Sequence, residues 1–189
     1  MEFLKRDPII FLIAGKARSG KSTVGSIIYD DYKASGKKVI ISQITKYLKK
    51  YIEEITDEEF NDNNKPRELL QKISSEIIKK DLGMNSFFVD RMIEDLKIYS
   101  YFFDCIIVTD VRFKEEIECV KKNFKNVISI GVIRKNFVSD LTSEQQNDIT
   151  ETSLDAYDDY DYKIISNSDN QEDLVIKTSE LLENIRERR

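Results

Sequence analysis

Residues 15–22 read Gly-Lys-Ala-Arg-Ser-Gly-Lys-Ser, directly after the apolar run Ile9-Ile10-Phe11-Leu12-Ile13-Ala14. An unbroken apolar run of this length is the pattern of a parallel strand covered on both faces. Gly15 and Gly20 bracket a loop whose backbone can curl, so that successive N–H groups point inward. Ser22 to Lys33 then reads as a helix ending near Ser35-Gly36, and Lys38 to Ile44 as a second strand rich in β-branched residues. Strand, glycine loop, helix and strand form a βαβ unit, which commits the chain to an α/β fold with a mainly parallel sheet.

The rest of the sequence fits that plan. Pro66 suits a helix start, and Leu69, Leu70, Ile73 and Ile77 follow at helical spacing. Phe88, Met92, Leu96 and Tyr99 mark another amphipathic helix, with Gly83 at the break before it. Cys105 to Thr109 reads as a third strand closing on Asp110. Phe113, Ile117, Val120 and Phe124 share a helical face, and Val127 to Ile133 reads as a fourth strand. Residues 134–155 are polar, without a core face. Tyr162 to Ser166 is a short fifth strand, and Leu174, Thr178, Leu181 and Ile185 line a last helix. The expectation is one doubly wound domain over 1–189, a three-layer α/β/α sandwich of about five mainly parallel strands. It carries a helical insertion at about 45–100 and a lid-like stretch at about 134–150.

The spacing Gly15-x-x-x-x-Gly20-Lys21-Ser22 is that of a phosphate-binding loop opening a helix. Lys21 supplies a point charge to the β- and γ-phosphates, the Ser22 hydroxyl suits Mg²⁺, and the helix N-terminus adds positive potential. Thr23 is a second hydroxyl beside the α-phosphate. Lys16, Ala17, Arg18 and Ser19 complete the loop. At the end of the third strand, Asp110 points into the crevice where ligands bind in open α/β sheets. It is expected either to hold the Mg²⁺ hydration shell or to orient an acceptor group, with Arg112 as a phosphate clamp. Two patterns are decoys. Asn64-Lys65-Pro66-Arg67 begins like the guanine-reading Asn-Lys-x-Asp but ends in Arg. Asp155, Asp158, Asp159 and Asp161 lack the glycine and spacing of a calcium loop, and read as a solvated turn or lid support.

Composition narrows the function classes. The chain of 189 residues has a formal net charge of −5 and no histidine. Serine–histidine triads, histidine metal sites and histidine phosphotransfer are excluded together. A mildly acidic chain is a poor partner for nucleic acid or anionic lipid as a whole. Pro8 to Ala14 is too short to span a membrane and lacks signal-sequence flanks. Cys105 and Cys119 read as reduced thiols of a cytoplasmic protein.

With these residues placed, the sequence resembles the deoxynucleoside monophosphate kinase family of phages and Gram-positive bacteria. It is also similar to that family's relative, the animal-type phosphomevalonate kinases. The resemblance is carried by residues 15–22, Lys46, Arg67-Glu68-Leu69-Leu70-Gln71, Phe87-Phe88-Val89-Asp90-Arg91 and Thr109-Asp110-Val111-Arg112-Phe113. Glu151-Thr152-Ser153-Leu154-Asp155 and Asp161 to Asn167 complete it. It implies transfer of the ATP γ-phosphoryl group to a phosphate monoester. Gly20, Lys21, Ser22 and Thr23 would bind ATP and Mg²⁺, and Asp110 would serve metal and acceptor. Lys46, Arg67, Arg91 and Arg112 would surround the acceptor phosphate, and Arg134 would close over the phosphates. Arg18 is a further loop candidate, and Asn167 matches a position beside the adenine. Composition alone would not select these cations from the 30 lysines and arginines. The phosphomevalonate kinases carry Pro-Leu-Lys where this chain has Ile44-Thr45-Lys46.

The leading expectation is thus a nucleoside or deoxynucleoside monophosphate kinase using ATP and Mg²⁺ on a small-molecule acceptor. The alternatives are a phosphomevalonate-type kinase and a nucleotide-binding regulatory protein without turnover. The oligomeric state stays open, a dimer included.

Overall fold

The computed structural model describes residues 4–58, 66–135, 142, 149–166 and 171–188, with Arg67 and Gln171 as backbone only. Five strands form one parallel sheet: β1 (Ile9–Ala14), β2 (Val39–Ser42), β3 (Cys105–Val111), β4 (Val127–Arg134) and β5 (Tyr162–Ser166). Their spatial order is β2-β3-β1-β4-β5. The helices are α1 (Lys21–Ala34), α2 (Lys46–Thr56), α3 (Arg67–Gln71), α4 (Phe87–Tyr99), α5 (Lys114–Asn123), the short α6 (Ile149–Thr152) and α7 (Gln171–Glu187).

The alternation along β1 builds the three layers. Ile9, Phe11 and Ile13 face one side, where Val24 and Ile28 of α1 and Leu174, Leu181, Leu182 and Ile185 of α7 pack on them. Ile10, Leu12 and Ala14 face the other, against Met92, Ile93 and Leu96 of α4 and Ile117 and Val120 of α5. Every residue of β1 is buried. Its apolar run is therefore the hinge of both cores, each fully buried Ile or Leu contributing about 1.5–3 kcal/mol.

A third, smaller cluster lies in the helical region between β2 and β3. Leu48 and Ile52 of α2 meet Ile73 and Ile78 there. Here the structure departs from the sequence expectation. Beyond α3 the chain continues as a π-helix over Lys72–Asp81. Its i→i+5 turns are wider than those of an α-helix. The inward partner of Ile73 is therefore Ile78, 6% exposed, whereas Ile77 is 42% exposed. Phe88 packs against both this cluster and the sheet core, which fastens the helical region to the sheet.

Two strand ends also differ. β3 runs on through Asp110 to Val111, which pairs with Ala14 after a register irregularity. β2 stops at Ser42 rather than Ile44. The backbone N–H groups of Ile44 and Thr45 turn instead to the Asp110 carboxylate. Among the described residues no helix is long and apolar enough to cross a membrane. Cys105 is buried and Cys119 half-buried, and neither forms a disulfide.

Candidate functional site

The strand order fixes where a ligand can sit. From β1 the chain crosses by α1 to β2, and from β3 it crosses by α5 to β4, in the opposite direction. The loops after β1 and β3 therefore part, opening a crevice at the carboxyl ends of these neighbours. Gly15 to Gly20 follow β1, and Arg112 follows β3.

The glycine loop is tightly built. Gly15 has φ +148°, and a Cβ there would lie 2.4 Å from the Val132 carbonyl oxygen. Gly20 has φ +101°, and its Cβ would lie 2.6 Å from Leu174 Cδ1. Arg18, which has a side chain, also takes a left-handed conformation at φ 58°, a strained state that clusters at ligand-binding turns. Lys21, only 8% exposed, folds back along the loop. Its ammonium donates to the carbonyl oxygens of Gly15 at 2.8 Å and Lys16 at 2.6 Å. Ser19 is buried, and its Oγ has no hydrogen-bond partner. A buried cation, an orphaned hydroxyl and a loop with no space for side chains at its glycines are the features a bound phosphate requires. The residues present therefore fit a nucleotide phosphate. Ser22 and Thr23 lie in the first turn of α1, Ser22 exposed and Thr23 half-buried.

Near the end of β3, Asp110 is engaged by the start of the helical region. Its Oδ1 accepts from Ile44 N at 2.7 Å, and its Oδ2 accepts from Thr45 N at 3.1 Å and Thr45 Oγ1 at 2.7 Å. A carboxylate offers about four lone-pair sites, so these three bonds leave acceptor capacity for a metal hydration shell. Arg112 is linked to the glycine loop through Glu151. Its guanidinium pairs with Glu151 Oε1 at 2.8 Å, and Glu151 Oε2 accepts from Ala17 N at 2.7 Å. Arg134, the last residue of β4, donates to the Arg18 carbonyl at 3.2 Å. Lys16 pairs with Asp155 at 2.8 Å.

Lys46 and Arg91 form a separate group at the helical region. Lys46 Nζ sits 2.5 Å from Asp95 Oδ2 and donates to Tyr99 Oη at 2.8 Å. Burial alone would lower the Lys46 pKa, but the bonds to Asp95 and Tyr99 outweigh it and hold it above the ordinary lysine value. Tyr47 donates to the same Asp95 at 2.8 Å. Lys46 Nζ and Arg91 Cζ lie 4.9 Å and 5.9 Å from the Tyr47 ring centroid. The two cations thus converge on one aromatic ring, which sequence spacing did not foretell. Arg67 opens α3, but its side chain, Asn167 and most of the 134–150 stretch lie outside the described residues.

Sequence reasoning gave no role to Glu116, Glu151 or Asp95. Glu116 is buried, and one of its oxygens accepts from the N–H groups of Arg112 at 2.7 Å and Phe113 at 3.0 Å. Its carboxylate reaches back to the N-cap backbone as a capping-box glutamate does, but Phe113 has no side-chain acceptor, so the sequence held no capping signature there. Burial, chiefly, pushes its pKa up to about 7; the two N–H bonds oppose this, and the charge of nearby Asp110 adds to it. Among the described residues, the acidic run after Leu154 forms no cluster of three carboxylates that could hold a metal ion. Asp155, Asp158 and Asp161 pair with three different lysines, Lys16, Lys163 and Lys121.

No known protein-family pattern and no curated protein sequence matches the chain. Its fold, however, has solved counterparts. The Mycobacterium tuberculosis APS kinase in complex with AMPPNP and APS superposes with a TM-score of 0.53 at 8% identity, over 96% of this chain and 99% of that one. The Acinetobacter baumannii shikimate kinase in complex with shikimate gives 0.50 at 14%, over 95% of each chain. The Bacteroides thetaiotaomicron shikimate kinase gives 0.50 at 13%, over 93% and 98%. The chain has the three-layer α/β fold of the P-loop kinases.

Proposed function

We propose that the chain is an ATP-dependent kinase acting on a small phosphate monoester, with a nucleoside or deoxynucleoside monophosphate as the preferred acceptor. The observation that carries this reading is the loop at 15–20. It encloses the buried Lys21 ammonium and the orphaned Ser19 hydroxyl, with Arg112 one carboxylate away. The names of the structural counterparts, APS kinase and shikimate kinase, are those of kinases of small molecules, which supports the reaction class. The monophosphate acceptor rests on the sequence resemblance.

When bound, Mg-ATP supplies the phosphoryl group, and the acceptor's phosphate oxygen is itself the nucleophile. The protein's task is therefore positioning and neutralisation of charge. In this reading the loop N–H groups and Lys21 would hold the phosphates, and the sequence resemblance assigns Asn167, which lies outside the described residues, to the adenine. Ser22 and Asp110 would hold the metal's hydration shell. Arg112 and Arg134, both linked to the loop, balance charge on the migrating group. Lys46, Arg67 and Arg91 belong to the acceptor side, with about 45–100 as the acceptor-binding region of a single domain. Asp110 couples the halves, because its bonds to Ile44 and Thr45 fix the approach to Lys46. The stretch at about 134–150, mostly outside the described residues, would serve as a lid that excludes water.

A coupled ADP-release assay across nucleoside monophosphates and phosphomevalonate tests the reading. Acceptor-dependent turnover with at least one nucleotide is expected. Turnover only with phosphomevalonate moves the chain to the non-nucleotide branch. ADP release that no acceptor stimulates refutes the kinase assignment.

A further inference from the structure

Residues 150–155 cross directly over the phosphate loop and are fastened there by more than one bond. Glu151 Oε2 accepts from Ala17 N at 2.7 Å, and its Oε1 pairs with Arg112 Nη1 at 2.8 Å. The same Arg112 nitrogen donates to the Thr150 carbonyl at 3.4 Å. Ser153 Oγ donates to the Arg112 carbonyl oxygen. Asp155 adds its ion pair with Lys16. The carboxylate thus joins three pieces of chain: the loop after β1, the end of β3, and α6.

This differs from an ordinary surface salt bridge, which is worth little. The side chains of Glu151 and Arg112 are only 9% and 22% exposed. Both oxygens of Glu151 are used, one by a backbone N–H and one by a guanidinium, and such charge-assisted bonds fix orientation as well as distance. An arginine has many rotamers, and one that must meet a phosphate loses reaction rate unless it is already aimed. The guanidinium carries five N–H donors, so pairing at Nη1 does not exhaust it.

We propose that Glu151 is a positioning residue that holds the Arg112 guanidinium against the phosphate loop in the orientation phosphoryl transfer needs. Its catalytic consequence rests on the kinase reading. Its structural content, a tether between Glu151 and Ala17, does not.

The test combines kinetics with hydrogen exchange. Glu151→Gln keeps an oxygen for the Ala17 N–H but loses the charge that orients Arg112. Its kcat should fall about tenfold or more, with the KM for ATP within about twofold of wild type. In an Arg112→Ala background the same substitution should change kcat by less than about twofold, because the two residues act as one unit. In protein without nucleotide, the Ala17 amide should exchange about tenfold faster in Glu151→Ala, and close to the wild-type rate in Glu151→Gln. Independent, multiplying losses from the two sites overturn the proposal, as does unchanged Ala17 exchange in Glu151→Ala. Wild-type protein that turns over no acceptor refutes the kinase reading and the catalytic role together. Active wild type with an equally active Glu151→Gln refutes this proposal alone.

Discussion

Replacing Glu116 with glutamine should change how the stability of this protein depends on pH. Glu116 sits at the start of α5, 5% exposed, with one oxygen taking the N–H groups of Arg112 and Phe113. Its pKa rises from 4.5 to about 7, mainly because burial penalises the charged form. The sign follows from linkage. The folded state binds the proton more tightly than the unfolded state, so the stabilisation is complete below the unfolded value and is lost as pH rises through the folded value. The difference between 4.5 and about 7, at 1.36 kcal/mol per pH unit, amounts to about 3 kcal/mol. The glutamine oxygen can accept the same two N–H groups but does not titrate. Burying its amide adds a cost that is the same at every pH. Urea denaturation of both proteins at about pH 5, 6, 7 and 8 isolates the effect, since titrating groups not coupled to Glu116 cancel in the difference. Stability of wild type minus variant should fall by about 2–3 kcal/mol from the lowest pH to the highest. A difference constant to within about 0.5 kcal/mol, or one that rises with pH, would refute the reasoning.

Three further outcomes are expected. Ile78→Ala should cost about 2–4 kcal/mol in denaturant unfolding and Ile77→Ala under about 1, because the π-helical turn buries the first and exposes the second; equal losses would mean an ordinary α-helical register. Asp110→Asn cannot accept from all of Ile44 N, Thr45 N and Thr45 Oγ1 with its amide nitrogen, so stability should fall by about 1–3 kcal/mol. Turnover should fall with it in a Mg²⁺ titration, and a variant matching wild type in both would contradict the dual role. Lys21→Ala should lower phosphoryl transfer by about 10²-fold or more while the melting temperature stays within a few degrees, and turnover near wild type would remove Lys21 from the mechanism.

Much of this architecture was legible because local pattern and final environment agree. The apolar run of β1 is buried on both faces, as such runs must be. The faces of α4, α5 and α7 follow their helical spacing. The turn at Gly15 and Gly20 was legible only in part: their positive φ is a local backbone demand, whereas the neighbours that leave no space for a Cβ, Val132 and Leu174, lie far along the chain. What escaped the sequence depends on distant partners. Nothing in residues 72–81 announces wide turns, and the phase of Ile77 and Ile78 follows from hydrogen bonding rather than from residue type. The early end of β2 is decided by Asp110, far along the chain. Glu151 stood inside a recognisable segment, yet its bond to Ala17 exists only once α6 is laid across the loop. The pairing of Lys46 with Asp95 likewise needs α2 and α4 side by side.

The central claim is that the loop at 15–22 serves phosphoryl transfer to a phosphate monoester. Its most direct test follows the γ-phosphoryl group of labelled ATP in the presence of a nucleoside or deoxynucleoside monophosphate. The account predicts label in the acceptor's new diphosphate at about 10²-fold or more the rate at which it enters free phosphate. Label found only as free phosphate with every acceptor would contradict it.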